Sequence, residues 1–312
     1  MKAVVYNKKG SPEKLIFCET DKPVPNDTEV LIKVHVVSLN AADYRTMKAG
    51  IIIPKRGIFG SDISGRIESV GKNITQFKPG NEVIGYLARY GFGGLAEYVT
   101  APERALITKP SQISFEEGAS LPMAALTALQ ALRDKGNIQK GHKVLIVGSA
   151  GGVGTFAVQL AKYFEAEVTG VCSSKNIQQT KSLGADYVID YSQEDFAKRH
   201  NHYNLILGIN GNYPLLAYKR TLAPGGVYVL IGGSLSQIFK SLIFGWLLSF
   251  GSKKMKSMFA KTNKKDLEFL SKLLEDGSIK TVIERRYSLE KTADAMKYLS
   301  QGHSSGKVVI NI

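Results

Sequence analysis

The sequence predicts an α/β protein: a β-rich, barrel-like part followed by a doubly wound parallel sheet with helices on both faces. Three observations carry this. The first 120 residues hold short β-like runs broken by Gly and Pro. After Pro110 strands and helices alternate. The apolar run Lys143–Val147 passes through a cluster of glycines straight into a helical pattern.

Taken in order, Lys2–Tyr6, Glu29–Ser38, Ile63–Val70 and Glu82–Tyr86 read as strands. Turn signals at Gly10–Pro12, Pro23–Asn26, Pro79–Gly80 and Gly91–Gly94 separate them. Ser114–Ala119 and Met123–Lys135, rich in Ala and Leu, read as helices. Then come strand Lys143–Val147, helix Val153–Phe164, strand Glu167–Cys172, helix Lys175–Leu183 and strand Tyr187–Ile189, with Asn204–Leu207 and Val227–Ile231 continuing the series. Short, continuously apolar strands of this kind belong to a parallel sheet buried on both faces. The last segment predicts helices at Leu267–Leu274 and Leu289–Leu299, a strand near Val282 and a terminal strand Lys307–Ile310. No internal repeat is visible.

The chain's 312 residues fit two ordinary domains. With 44% hydrophobic and 22% charged residues, the composition excludes a disordered or fibrous chain. The N-terminus shows no secretory pattern, and Cys18 and Cys172 are too few for a disulfide framework. A reducing compartment, the cytoplasm, is the expectation. The net charge of +14 admits nucleic acid, acidic membrane or anionic small molecules as partners. Most lysines are scattered, however, and only Lys253–Lys265 is dense.

The strongest local signal is Val144–Gly154, a buried strand ending in Gly-Ser-Ala-Gly-Gly-Val-Gly and entering a helix. Small residues at Ser149, Gly151, Gly152, Val153 and Gly154 let backbone approach a pyrophosphate, and the helix N-terminus faces the anion. The first glycine of the usual triplet is here Ser149. At the end of the next strand an NAD enzyme places an acid on the ribose hydroxyls. This chain has Ser173, Ser174 and Lys175 there, which donate to a 2′-phosphate that an acid would repel. The pattern points to NADPH, with Ser173 also placed to cap the following helix.

With these features in order, the chain resembles the medium-chain dehydrogenase/reductase superfamily, in its zinc-free quinone oxidoreductase and enone reductase branch. The marks are Asn40–Tyr44, Gly60–Gly65, Phe77–Val83, Gly93–Tyr98, Ala125–Ala128, the glycine run and Gly302–Val308. The resemblance implies a Rossmann domain of 122–261 inserted into a GroES-like β-rich domain made of 1–121 and 262–312. It implies a homodimer. Zinc-dependent relatives ligate metal with Cys and a His-Glu pair; here those positions read Ser38-Leu39-Asn40 and Ser61-Asp62, so no metal is expected. His35 is expected to be a packed or surface residue.

The implied reaction is hydride transfer from NADPH to a quinone or an α,β-unsaturated carbonyl. The implied catalytic residues are Asn40, as a donor to a carbonyl, with Asp43 and Tyr44. Asp43 reads equally as a structural acceptor in a loop. Thr127, Tyr191, Asn210 and Gly232 are implied cofactor contacts. Gly208 departs from the family, which commonly has an acid there. Two other readings stand beside this one: an enoyl-thioester reductase, and an NADPH-binding regulatory protein that uses its basic surface on RNA or lipid. Nucleic-acid binding is not expected. The apolar stretch 238–250 is too short to span a bilayer, which takes roughly twenty residues. It is expected to border the substrate pocket or a subunit contact ahead of a peripheral membrane contact.

Overall fold

The computed structural model describes residues 1–6, 11–50, 54–209, 213–232 and 251–312. Two compact units divide the chain, Met1–Leu126 with Thr262–Ile312, and Thr127–Lys261.

The first unit is built from β1 (Lys2–Tyr6), β2 (Leu15–Glu19), β3 (Glu29–Leu39), β4 (Asp62–Val70), β5 (Glu82–Tyr86), β6 (Tyr98–Pro102) and β7 (Leu106–Thr108). The returning tail adds β14 (Ile283–Ser288) and β15 (Lys307–Asn311). β1 and β2 form an antiparallel hairpin; the rest form one sheet in the order β14-β15-β3-β4-β5-β7, with β6 also on β3. The long β3 is buried along most of its length, so it reads as an apolar run rather than an alternation. Phe59, Ile63, Ile67, Leu95, Val308 and Ile310 join it in the core.

Helix α1 (Ala41–Ala49) leaves the end of β3. Helix α2 (Phe115–Ser120) starts at a capping box, in which Ser114 Oγ accepts the Glu117 N–H at 3.2 Å and Glu117 accepts the Ser114 N–H at 2.9 Å. Helix α3 (Pro122–Gln130) comes next in the chain. His35 stacks on Phe115 with ring centroids 4.2 Å apart, and burial lowers its pKa. It is a packing residue, as the sequence suggests.

The second unit is a six-stranded, all-parallel sheet of β8 (Lys143–Val147), β9 (Glu167–Cys172), β10 (Tyr187–Asp190), β11 (Tyr203–Ile209), β12 (Leu222–Ile231) and β13 (Lys254–Met258). Its order, β10-β9-β8-β11-β12-β13, is the doubly wound order of dinucleotide-binding folds. The strand order reverses beside β8, so the crevice for a ligand opens at the carboxyl end of β8, where the glycine run lies. Helix α4 (Gly152–Tyr163) follows directly.

β13 lies inside the lysine-rich segment, where the sequence shows only a charge cluster. Lys254 and Lys256 face solvent while Met255 and Met258 are buried, a short strand alternation hidden by its charge. Several of these lysines serve the fold. Lys253 Nζ donates to Asn201 Oδ1 at 2.7 Å and to the Lys219 carbonyl at 3.0 Å, and Lys256 Nζ donates to the Lys135 carbonyl at 2.9 Å. Carbonyls at helix ends lack intrahelical partners and favour cations. The stretch 238–250 lies outside the described residues. No helix among the described residues is long and apolar enough to cross a membrane.

Candidate active site

In the first unit the site grows from the turn between β3 and α1. Asn40 takes the N-cap position of α1 without a side-chain cap hydrogen bond, and the turn is closed by Asp43. Its carboxylate accepts the Asn40 backbone N–H at 2.7 Å while its own N–H donates to the Asn40 carbonyl at 3.0 Å. The Asn40 side chain is thereby freed for other partners. Its Nδ2 donates to Asp62 Oδ2 at 3.0 Å, and its Oδ1 accepts from Lys307 Nζ at 2.6 Å. Three stretches far apart in sequence meet because the sheet places β3 between β4, which begins at Asp62, and β15, which begins at Lys307.

Asp62 is fully buried and Lys307 is 2% exposed. Asp62 also accepts the Met123 N–H at 3.1 Å and the Ser61 hydroxyl at 3.2 Å, and stands 4.0 Å from Lys307 Nζ. Removing one member of such a buried pair leaves an uncompensated charge, at a cost of about 3–5 kcal/mol. Burial pushes the Asp62 carboxyl up and the Lys307 ammonium down, each opposed by the other's charge. Asp43 is raised to about 7, first by burial and then by the Asp62 charge, against the Asn40 N–H, Lys307 and Ser61. Two carboxyls facing one ammonium leave a proton on Asp43 near neutrality. Tyr86, opposite Asp62 across the β4–β5 ladder, has its phenol pushed up by burial and by both carboxylates. The Tyr44 ring packs half-buried against the core.

The sequence singles out Asn40, Asp43 and Tyr44, and the structure brings Asn40 and Asp43 into one network. It misses Asp62 and Lys307 as site residues. The available signal was a charge at the first position of a strand, twice, with opposite signs.

The residues where zinc-dependent relatives hold metal do not suit it. Ser38 Oγ is buried without a hydrogen-bond partner among the described residues, Asn40 offers an amide already bonded at both ends, and Asp62 faces an ammonium. No thiolate or imidazole stands among them, and among the described residues no group of three or more His, Cys, Asp or Glu could hold a metal ion.

In the second unit, Gly151 is the N-cap of α4 and is followed by Gly152, Val153 and Gly154. The first-turn N–H groups have no partner within the helix. A side chain at Gly154 would drive its Cβ into the Gly148 carbonyl, so only glycine lets helix and strand close so tightly. Half-buried backbone at 151–153 and the helix N-terminus suit an anionic pyrophosphate.

Ser149 behaves differently from the glycines. It is fully buried, and its hydroxyl donates to the Val171 carbonyl at 3.2 Å and lies 3.3 Å from Thr180 Oγ1, so its side chain ties β8 to its neighbours. At the end of β9, Ser173 takes the N-cap position of a short 3-10 turn without a side-chain cap bond, and its Oγ accepts from Asn176 Nδ2 at 3.2 Å. Ser174 donates to Asp190 Oδ2 at 2.5 Å, Lys175 is exposed, and Tyr191 is about half exposed. Thr127 is buried, and Gly232 directly follows β12 with a positive φ of 66°. Asn210 lies outside the described residues. The departure at Gly208 has a packing reason: a Cβ there would stand 2.5 Å from the Tyr228 hydroxyl, which fills the space of the missing side chain.

Fold and site together define an oxidoreductase that uses NAD(P)H, built from a β-rich domain and a dinucleotide-binding domain. Residues 26–111 match the alcohol dehydrogenase GroES-like domain and residues 183–310 the zinc-binding dehydrogenase family. A chloroplast envelope quinone oxidoreductase homolog of Arabidopsis thaliana is 31% identical over 99% of this chain and 98% of its own length. The 2-methylene-furan-3-one reductase of Solanum lycopersicum is 32% identical over 100% of this chain and 79% of its own. The solved quinone oxidoreductase of Coxiella burnetii superposes with a TM-score of 0.91 at 29% identity, covering 100% of this chain and 99% of that one. The chain belongs to the medium-chain dehydrogenase/reductase superfamily, in its quinone-oxidoreductase-like branch.

The comparisons correct one expectation. Relatives at 30% identity or more whose names give a compartment are of the chloroplast, in Arabidopsis thaliana, Triphysaria versicolor and Spinacia oleracea, or of the mitochondrion, in mammals, so the cytoplasmic assignment falls. Few cysteines report a reducing environment, which is not an address.

Proposed function

We propose that this chain transfers hydride from NADPH to a quinone or to the β-carbon of an α,β-unsaturated carbonyl. The observation that carries the reading is the Asn40 carboxamide. It is held from two sides, and one of its two Nδ2 hydrogens remains uncommitted among the described residues. A fixed N–H is the group needed to stabilise the negative charge that develops on a carbonyl oxygen when hydride adds to the conjugated system. NADPH supplies the hydride. Asp43, holding a proton near neutrality, is a candidate source of the proton that completes the reduction, and Tyr44 is a second donor near the same turn.

Unsaturated acceptors suit a site without a Lewis acid, because no alkoxide has to be stabilised as in alcohol oxidation. The quinone and furanone substrates named for the relatives above are of this electron-poor class. Preference for NADPH is supported by the absence of an acid among Ser173, Ser174 and Lys175; Asp190, bonded to Ser174, tempers it. Gly151, Gly152, Val153 and Gly154 would hold the pyrophosphate by backbone, with Ser149 supporting the turn from beneath. A homodimer is part of this reading, and β13 ends its sheet with an outer edge unpaired among the described residues.

The test is NADPH consumption with 1,4-naphthoquinone, 9,10-phenanthrenequinone, 2-alkenals, methyl vinyl ketone and crotonyl-CoA, with NADH and simple alcohols as controls. Turnover of quinones or enones with NADPH, weaker with NADH and absent with alcohols, is expected. NADPH binding without turnover of any acceptor would sink the reading.

A further inference from the structure

Lys307 is a lysine buried at the first position of an apolar strand, where a hydrophobic residue would avoid the desolvation of a charge. A plain ion pair does not account for it. Its closest partner is the Asn40 amide oxygen at 2.6 Å, whereas the Asp62 carboxylate is 4.0 Å away and the Leu39 carbonyl 3.5 Å. The chemistry of these neighbours fixes which way the amide faces. A flipped Asn40 would set its NH₂ against an ammonium and its oxygen against a carboxylate. The observed orientation alone satisfies all three groups, with Nδ2 on Asp62 and Oδ1 on Lys307. A cation on Oδ1 also draws electron density from the amide and strengthens its N–H groups as donors.

We propose that Lys307 is a positioning residue for hydride transfer, its ammonium orienting and polarising the Asn40 carboxamide so that the second N–H is offered to the acceptor's carbonyl oxygen. The inference rests on Asn40 acting as that donor. The anchor of the site thus comes from the last strand of the chain, 267 positions from the residue it serves.

A double-mutant cycle on Asn40 and Lys307 tests it, with NADPH and the acceptor of the panel turned over fastest. Asn40→Ala and Lys307→Met should each lower kcat about 10- to 100-fold, with NADPH affinity within about twofold of the parent. The double variant N40A/K307M should be no slower than N40A, because Lys307 acts through Asn40. Should K307M fail to fold, the same cycle is run with D62N/K307M against D62N, which removes the carboxylate left without its cation. Unchanged kcat in N40A would overturn the donor reading itself. A slow N40A beside a full-rate K307M would overturn only the role of Lys307. So would a K307M effect of equal size in the N40A background, or a loss that merely follows the melting temperature across the series.

Discussion

The two units face their expected ligands by opposite means. In the nucleotide-binding unit the groups that suit the anion are backbone N–H groups at the start of α4, and the side chains nearest them are small or turned inward, as Ser149 is. In the GroES-like unit the candidate chemistry rests on buried side chains, Asn40, Asp43, Asp62 and Lys307, that satisfy one another. Backbone recognition depends on what is missing at each position, and side-chain recognition on what is present at several. Substitutions should therefore act differently: in the nucleotide-binding unit adding atoms does the damage, in the GroES-like unit removing a partner does.

The largest effect is expected at Gly154. An alanine Cβ would run into the Gly148 carbonyl oxygen and stand 2.7 Å from the Ser149 carbonyl carbon, both main-chain atoms that cannot yield without moving the turn. Gly154→Ala should cost on the order of 3 kcal/mol and lower the melting temperature by several degrees. NADPH binding, followed by fluorescence, should fall steeply. Full affinity with an unchanged melting curve would show that the turn gives more readily than its geometry implies.

The same contrast decides what could be read from the sequence. The strand and helix flanking the glycine run, and β9 with its Ser-Ser-Lys end, were legible because the whole device occupies consecutive residues, Lys143–Lys175. The Asn40 network was not. Asp62 shows in the sequence only as the place of a lost metal ligand and Lys307 only as part of a terminal string, since their meeting depends on sheet order. β13 was hidden because its lysines looked like a surface cluster, and the inward turn of Ser149 because serine stands where glycine usually does.

A middling effect should sharpen the reading of the nucleotide unit, where the cation expected to reach the ligand is exposed. Lys175→Ala removes a cation without disturbing packing. A charge-assisted hydrogen bond to a phosphate is worth about 1.5–3 kcal/mol, so the KM for NADPH should rise roughly 10-fold or more while that for NADH stays put. Equal changes for both cofactors would show that Lys175 meets the shared pyrophosphate or nothing at all.

The smallest effect is the most telling about the buried network. Asp43 titrates at about 7 in the folded chain, whereas an ordinary aspartate releases its proton near 3.8. Between those values the folded state binds more protons than the unfolded state, so stability falls as pH rises through the window and levels off above it. The groups facing Asp43 are Asp62, Lys307 and Ser61, with the Tyr86 phenol feeling its charge; burial holds that phenol neutral throughout the window, and Asp62 is paired with Lys307. The amide introduced by Asp43→Asn would not titrate, yet its oxygen can still accept the Asn40 N–H that caps α1. The variant should thus gain on the parent as pH rises from about 5 to about 8, by a few degrees of melting temperature. A difference that is flat with pH would mean that Asp43 is already ionised in the fold, with Lys307 rather than Asp62 dominating its surroundings.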